Sequence, residues 1–555
     1  MKTLYIDIME KTLFAYTKEK IRQYIDEVKR DGLTEHGFPR MAANIGILMA
    51  HGRRLDLKDF FFEIMDICCD QMPKKRAAND FSIREVCCAL MLMEEKGTIE
   101  QEHIDKWRAQ LSSFDPWNCY SVVDDHSGKF VANWALFAAA SEYIRGVFCG
   151  IDTSEFVEWQ LPCQLANFDE FGMYKDHDPG GAWNPVMYDL VPRYLFAFLI
   201  SVGYNGKYAH DILRILDKTV DITMKMQSVT GEAPFGGRSN QYIHNEAMLI
   251  SYFEMEASRF AKKGDILKAG QLKGAAHFAA KAVLKYLSLD PVSHVKNRYD
   301  VSTKIGCESY GYFNKYMVTT ASNIYMGHLF ANDNIVPLPP VAKKGGYAIS
   351  TGDAFHKTFL NAGGYCIEID TNADYHYDAK GLGRVHKEDS LSTICLSVPF
   401  PLSPSYVVEG ENKTGMSICC YAQNGEEKLI GAQRYAKYHL LNTNADENGA
   451  SARLEVKLSD EITVEHQYTV SKSGVDIAIS GYDDIGFMVP VFDFDGHDNT
   501  SITLQKNLIC VEHQGSACRY SFDGEMSEEY TYYYNRNGRY RVYTVNSKKL
   551  HIELE

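Results

Sequence analysis

The stretch VPLPPVAKKGG, residues 336–346, is where the chain changes period. Its Pro, Lys and Gly interrupt a helical pattern that runs from the start to about residue 335. Upstream, apolar residues recur every three or four positions near 13–29, 40–51, 57–72, 82–95, 130–147, 185–203, 208–228, 240–262, 266–288 and 309–331, with weaker stretches near 102–111 and 153–165. About a dozen helices in consecutive antiparallel pairs predict an (α/α)6-type toroid whose loops surround a central cleft. Downstream the period is two: Leu454, Val456 and Leu458, then Ile462, Val464, Tyr468 and Val470, then Val475, Ile477 and Ile479 beyond a Lys-Ser-Gly turn. That pattern predicts half-buried strands. The expected fold class is therefore α+β and multidomain, with an N-terminal helical toroid over 1–335 and a C-terminal antiparallel β-sandwich over 346–555.

The composition agrees with a folded chain of this kind. Of 555 residues, 24% are charged and 45% hydrophobic, a globular balance with enough chain for roughly two to four domains. Lys and Arg number 58 against 73 Asp and Glu, a net charge of −15, so no general basic surface is available to a nucleic acid. An anionic small substrate is still admissible, because a pocket needs only a few local cations. No run approaches the ~18–20 apolar residues of a membrane span, and the first residues lack a secretory pattern, so the expectation is a cytoplasmic protein without a membrane partner. The 14 Cys, among them Cys68-Cys69, Cys87-Cys88 and Cys419-Cys420, sit in apolar contexts without repeated CxxC spacing and read as buried free thiols. Whether the chain forms a homo-oligomer stays open.

Four segments concentrate chemistry. All five Trp lie in the first third, and two of them, Trp117 in FDPWNCY and Trp183 in GGAWNP, stand in polar loops and are expected to line a cleft ahead of Trp134. Tyr188 belongs to the same aromatic group. In GGRSNQYIHNE, 236–246, Arg238 offers a charged fork, and Asn240 is placed to start a helix on which His244 follows one turn later on the same face. The plainer alternative makes Asn240 only a cap and His244 a satisfied polar residue. In 304–323, Tyr312, Tyr316 and Asn323 fall at near-helical spacing, with Tyr310, Asn314 and Lys315 around the helix entrance. In 124–137, His126 precedes Asn133, a polar amide on an otherwise apolar run that must find a partner or a ligand. In 374–389, His376, Tyr377, Asp378, Arg384 and His386 gather around two glycines, which suggests a loop reaching over the cleft. His376, Asp378 and His386 match no metal-ligand spacing template, so the metal content stays unknown.

Arg, Asn, His and Tyr together suit β-elimination on a uronic acid. Removing the C5 proton builds charge into the adjacent carboxylate, which Asn, Arg or protonated His must neutralise while Tyr or His moves protons. Side chains alone can do this, so no cofactor is required, although a structural divalent metal is not excluded. With helical toroid, sandwich and these residue types, the chain resembles the heparinase II/III-like polysaccharide lyases, most nearly those that remove a terminal rhamnose from glucuronate. The resemblance implies Asn133 or Asn240 with Arg238 as neutralisers, and His244 with Tyr242 or Tyr312 for the proton. Tyr242 and His244 would diverge on a regular helix. Substrate contacts are expected from Asn133, His126, Trp117, Trp183, Tyr188, Tyr310, Tyr316, His376, Arg384 and His386. A cytoplasmic member would receive imported anionic oligosaccharides and act from a chain end, with 168–184 closing one side of the pocket. Two other readings compete: a glycoside hydrolase on the same toroid, using carboxylates among Asp169, Glu170, Asp176, Asp178, Asp189, Glu246 and Glu308, and a noncatalytic carbohydrate-binding protein.

Overall fold

The structure is a computed structural model; it describes residues 1–13, 16–74, 76, 79–124, 131–177 and 186–555, the side chains of Val123, Asp124 and Tyr530 excepted. Helices of two kinds alternate along the first half. Lys18–Asp31, Lys58–Gln71, Gln101–Ser112, Ser154–Leu165, Ala209–Met226 and Ile266–Leu287 each leave one side to solvent. Lys18–Asp31 buries only Ile21, Ile25 and Val28, the stripe of a surface helix, and is capped by the Thr17 side chain. Between them run Gly37–Ala50, Ile83–Glu95, Asn133–Cys149, Val186–Ser201, His244–Lys262 and Phe313–Phe330, buried on most sides. A helix that is apolar nearly all round belongs in an interior. Each of these six packs against the next, and Phe313–Phe330 packs back against Gly37–Ala50, so the inner ring closes. The expected segment 13–29 differs: the chain opens with a separate helix, Lys2–Thr12, which packs against Phe313–Phe330.

From Tyr347 onward the chain is antiparallel sheet. Tyr347–Ser350, Lys357–Ala362, Tyr365–Asp370 and Gly381–Lys387 pair in chain order. A five-stranded sheet centred on Ile485–Phe494 and an eight-stranded sheet, whose outer strands are Ser501–Gln505 and Lys437–Ala445, complete the half. The Lys472–Gly474 turn joins Thr463–Ser471 to Gly474–Ser480 as its period of two predicts. Apolar side chains from all three sheets share one core. The segment 374–389 departs from its reading as a loop: Gly381–Lys387 is a buried strand, because Arg384 and His386 find polar partners across the contact with the helical half.

The two halves meet on the loop after Ala209–Met226. Phe235 N–H donates to Glu368 at 3.1 Å, Gly237 N–H to Asp378 at 2.8 Å, and Arg384 donates to the Ala233 carbonyl at 2.8 Å. Gly236 sits at φ +148°, and a Cβ there would lie 2.6 Å from Val186 and 2.9 Å from Lys357, so the close approach of the halves requires glycine.

Candidate active site

A cavity of about 420 Å³ lies at the centre of the inner ring. Its lining comes from the first turns of five inner helices, at Arg40, at Asn133, Trp134 and Phe137, at Met187, Tyr188 and Val191, at His244, Asn245 and Met248, and at Lys315, Tyr316 and Thr319. Side chains at these spacings share a helix face. The helix N-termini therefore converge on one space, and their partial positive charge favours an anion there.

One wall is a hydroxyl cluster beside a cation. Arg238 Nε donates to the Tyr310 hydroxyl at 2.8 Å, with its guanidinium 4.6 Å from the Tyr310 ring centre. Ser239 Oγ lies 2.9 Å from the Tyr310 hydroxyl and 3.3 Å from that of Tyr188. The next wall is a stack: His244 and Tyr316 are nearly parallel with ring centres 4.7 Å apart. Beyond it Arg40 donates to His36 Nδ1 and to Thr319 Oγ1, each at 3.0 Å, with Lys315 alongside. Phe81, Trp134, Phe137, Met187, Val191 and Met248 supply an apolar face.

Buried polar atoms normally have partners. Here His244 Nδ1, Asn245 Oδ1 and Asn323 Nδ2 have none among the described residues, although all three residues line the cavity. Such a set suits a ligand rich in hydroxyl and carboxylate oxygens. Burial, aided by Arg40, His294 and Lys296, pushes His244 down to about 3, so its imidazole is neutral and able to accept a proton. Burial pushes the Tyr188, Tyr310 and Tyr316 phenols up, which keeps them protonated and able to donate. Burial also lowers Lys315. Among the described residues lining the cavity there is no carboxylate.

Of the residues singled out in the sequence, Asn133, Tyr188, Arg238, His244, Tyr310 and Tyr316 meet in this cavity. Asn133 is held by Asp176, which accepts from both its backbone N–H and its amide. Asn240 does not join them. Ser239 and Gln241 adopt positive φ, the helix begins at His244, and Asn240 turns to the Pro234 carbonyl and Gln241. Tyr242, outside the helix, stacks on His244 at 5.5 Å instead of diverging, but its hydroxyl is committed to Glu308. Tyr312 precedes the helix Phe313–Phe330, lies 45% exposed and carries Lys304 over its ring.

Trp117 packs against Phe156 and Trp159, whereas Trp134 lines the cavity, the reverse of the expected order. Loop polarity around Trp117 reflects the Asp115 cap of its own short helix. Arg384 is buried against Glu368, His386 lies between Ser228 and Ser397, and His376 is held at the surface by the Ser403 carbonyl, so none reaches the cavity. These positions also separate His376, Asp378 and His386 as metal ligands, and no group of three potential ligands occurs among the described residues. His126, Trp183 and the last part of the expected closing loop, 178–184, lie outside the described residues.

The carboxylates a hydrolase would use are committed elsewhere. Asp189 pairs with Arg193, Glu246 with Lys296 and Glu308 with Arg536; Asp176 holds Asn133, Asp169 caps its own turn, Glu170 is exposed, and Asp178 is outside the described residues. Sequence reading missed Ser239 and Asn245, inside a segment it had singled out, and also His36 and Arg40. The signal for Arg40 was available, as the one charged residue within GFPRMAANIGILMA.

A pH prediction follows from the depressed His244. The pH profile of kcat/KM reports the free protein, so its acid limb should lie below about pH 5 and not near the ~6.5 of an ordinary imidazole. A limb centred near ~6.5 would remove His244 as the neutral proton acceptor.

No protein-family model matches the chain, and no curated protein does. Among solved structures it is similar to heparinase III, at 9% identity over 93% of this chain and 76% of that one, with a TM-score of 0.46. A chondroitin lyase that is a baculovirus envelope protein matches at 8% identity over 93% and 76%, with a TM-score of 0.44. Chondroitinase AC lyase matches at 8% over 99% and 82%, with a TM-score of 0.42. These identities are too low to carry residue roles across.

Proposed function

We propose that this protein is a carbon–oxygen lyase that cleaves uronate-containing oligosaccharides by β-elimination, acting at a chain end on glucuronate-linked glycans such as rhamnosyl-glucuronate, in the cytoplasm. The observation that carries this reading is the make-up of the cavity: a neutral imidazole stacked on a phenol, flanked by Arg238 and Lys315, with no carboxylate among the described lining residues. Inverting and retaining hydrolases need a carboxylate pair at the scissile bond. Elimination needs the opposite, positive charge beside the substrate's own carboxylate.

In this scheme the uronate carboxylate sits against Arg238 and the unpartnered amide of Asn323, under the converging helix N-termini. Neutralising it acidifies the C5 hydrogen. His244 accepts that proton, the electron pair forms the C4–C5 double bond, the C4–O4 bond breaks, and the Tyr316 hydroxyl protonates the departing oxygen. Solvent then takes the proton from His244 and returns one to Tyr316. A bound carboxylate also raises the His244 pKa from its depressed value, which strengthens the base only when substrate is present. A cavity enclosed by a ring of helices favours a chain end over a passing polymer, and the free, mostly buried cysteines favour a reducing compartment.

The test is direct. Incubated with oligosaccharides ending in glucuronate or galacturonate, the protein should generate ultraviolet absorbance near ~235 nm from the conjugated double bond, with product masses that sum to the substrate and no added water. Products heavier by one water and without that absorbance would replace the lyase by a hydrolase. Binding without either product would leave a carbohydrate-binding protein.

A further inference from the structure

A single carboxylate holds both walls of the reactive cluster. Glu308 Oε1 accepts from the Ser239 backbone N–H at 2.8 Å, and Ser239 Oγ in turn meets the Tyr310 and Tyr188 hydroxyls. Glu308 Oε2 accepts from the Tyr242 hydroxyl, and the Tyr242 ring stacks on Tyr316 at 4.8 Å and on His244 at 5.5 Å. The two ties thus lead to every proton-moving ring in the cavity. Both Glu308 oxygens are also gripped by one guanidinium, Arg536, at 2.6 and 3.1 Å.

Arg536 belongs to the other half of the chain. It sits in the turn between strands Glu525–Tyr534 and Arg539–Asn546, is 2% exposed, packs its guanidinium 3.9 Å from the Tyr406 ring centre, and donates to the Gly306 carbonyl at 2.5 Å. Its neighbour Asn537 donates to the Lys296 carbonyl at 2.9 Å, which keeps the turn against the helical half. An arginine so buried, bidentate on a single carboxylate, has a fixed geometry.

We infer that Arg536 is a positioning residue for the cavity: delivered by the sheet half, it holds Glu308, and through Glu308 it sets Ser239 and Tyr242 and hence the phenol and imidazole rings that they support. The consequence for turnover rests on the lyase reading above; the placement of the loop does not.

The electrostatics make the role separable from mere packing. Burial pushes the Glu308 carboxyl up, and Arg536, with the Tyr242 and Ser239 hydrogen bonds, brings it below the usual carboxylate range. Without the guanidinium the burial cost dominates, and the Glu308 carboxyl is pushed up from its present position. A protonated Glu308 keeps one carbonyl acceptor but turns its other oxygen into a hydroxyl donor, so its paired grip on Ser239 and Tyr242 is weakened.

Arg536→Met should therefore acquire a second acid limb in kcat, above the one that His244 gives the parent, with turnover about 10–100-fold lower at about pH 6 than at about pH 8, as expected of misplaced reacting groups. Arg536→Lys keeps the charge and should restore much of the turnover without the new limb. The double variant Arg536→Met/Glu308→Gln should be impaired and free of the limb. Independently of activity, amide hydrogen exchange across 236–245 should quicken in Arg536→Met, and more at the lower pH.

A folded Arg536→Met with the parent pH profile and parent exchange overturns the inference. If that variant fails to fold, Glu308→Gln decides: parent turnover and parent protection of 236–245 would equally overturn it, and loss of both supports it. Should the parent eliminate from no uronate at all, the lyase reading falls, and the exchange experiment still tests the positioning.

Discussion

His244→Ala is expected to lower kcat by about a hundred- to ten-thousand-fold, the range that a positioned proton acceptor contributes, while KM changes little because Arg238 and Asn323 still meet the carboxylate. Tyr316→Phe should fall in the same range. It keeps the ring, and so the 4.7 Å stack on His244, and removes only the hydroxyl. Steady-state rates followed by double-bond absorbance, with thermal unfolding as a check on folding, separate lost chemistry from lost structure. Parent rates in both variants would place the proton transfer on other groups.

The second large effect concerns stability. Lys296 Nζ lies 3.0 Å from Glu232 and 2.7 Å from Glu246, all three within 1% of complete burial. Glu232 also accepts from Tyr286 at 3.0 Å and from Ser392 of the sheet half. Burial opposes both charges; Lys296 nonetheless holds Glu232 well below the ordinary carboxylate range, whereas burial pushes Glu246 up. Lys296→Met leaves two carboxylates facing each other without their cation, and should cost about 3–5 kcal/mol in denaturant unfolding. Replacing Glu232 and Glu246 by Gln in the same chain should recover most of that loss. A Lys296→Met protein as stable as the parent would mean that the cluster relaxes or hydrates. The Lys296 backbone N–H, which this change keeps, also donates to the Gln241 carbonyl, so the loop that carries Arg238 should retain that tie.

The helices were legible because solvent-facing ones such as Lys18–Asp31 and Ala209–Met226 carry a clean stripe and each inner one is apolar enough to sustain the period; 185–203 and 266–288 agree with Val186–Ser201 and Ile266–Leu287 within a few residues. The site was legible as a segment and not as a geometry. GGRSNQYIHNE holds Arg238, Ser239, His244 and Asn245, but the positive φ at Ser239 and Gln241 is imposed by Glu308, 69 residues later, and by Lys296. No local signal marks that, so Asn240 looks like a cap. Arg384 and His386 looked like loop residues because their partners, Ala233 and Ser228, lie more than 150 residues away. Trp117 was misjudged because local polarity belongs to the backbone of its turn, while the indole packs on aromatic neighbours.

The turn bearing Arg536 has one more implication, for synthesis on the ribosome. Every described residue lining the cavity precedes position 324, so the helical ring can close before the sheet half has been translated. Until residue 536 has emerged, Glu308 has no guanidinium and the nascent ring carries an unfinished pocket. The cavity is then completed only once the sheet half has emerged and folded back onto the helices.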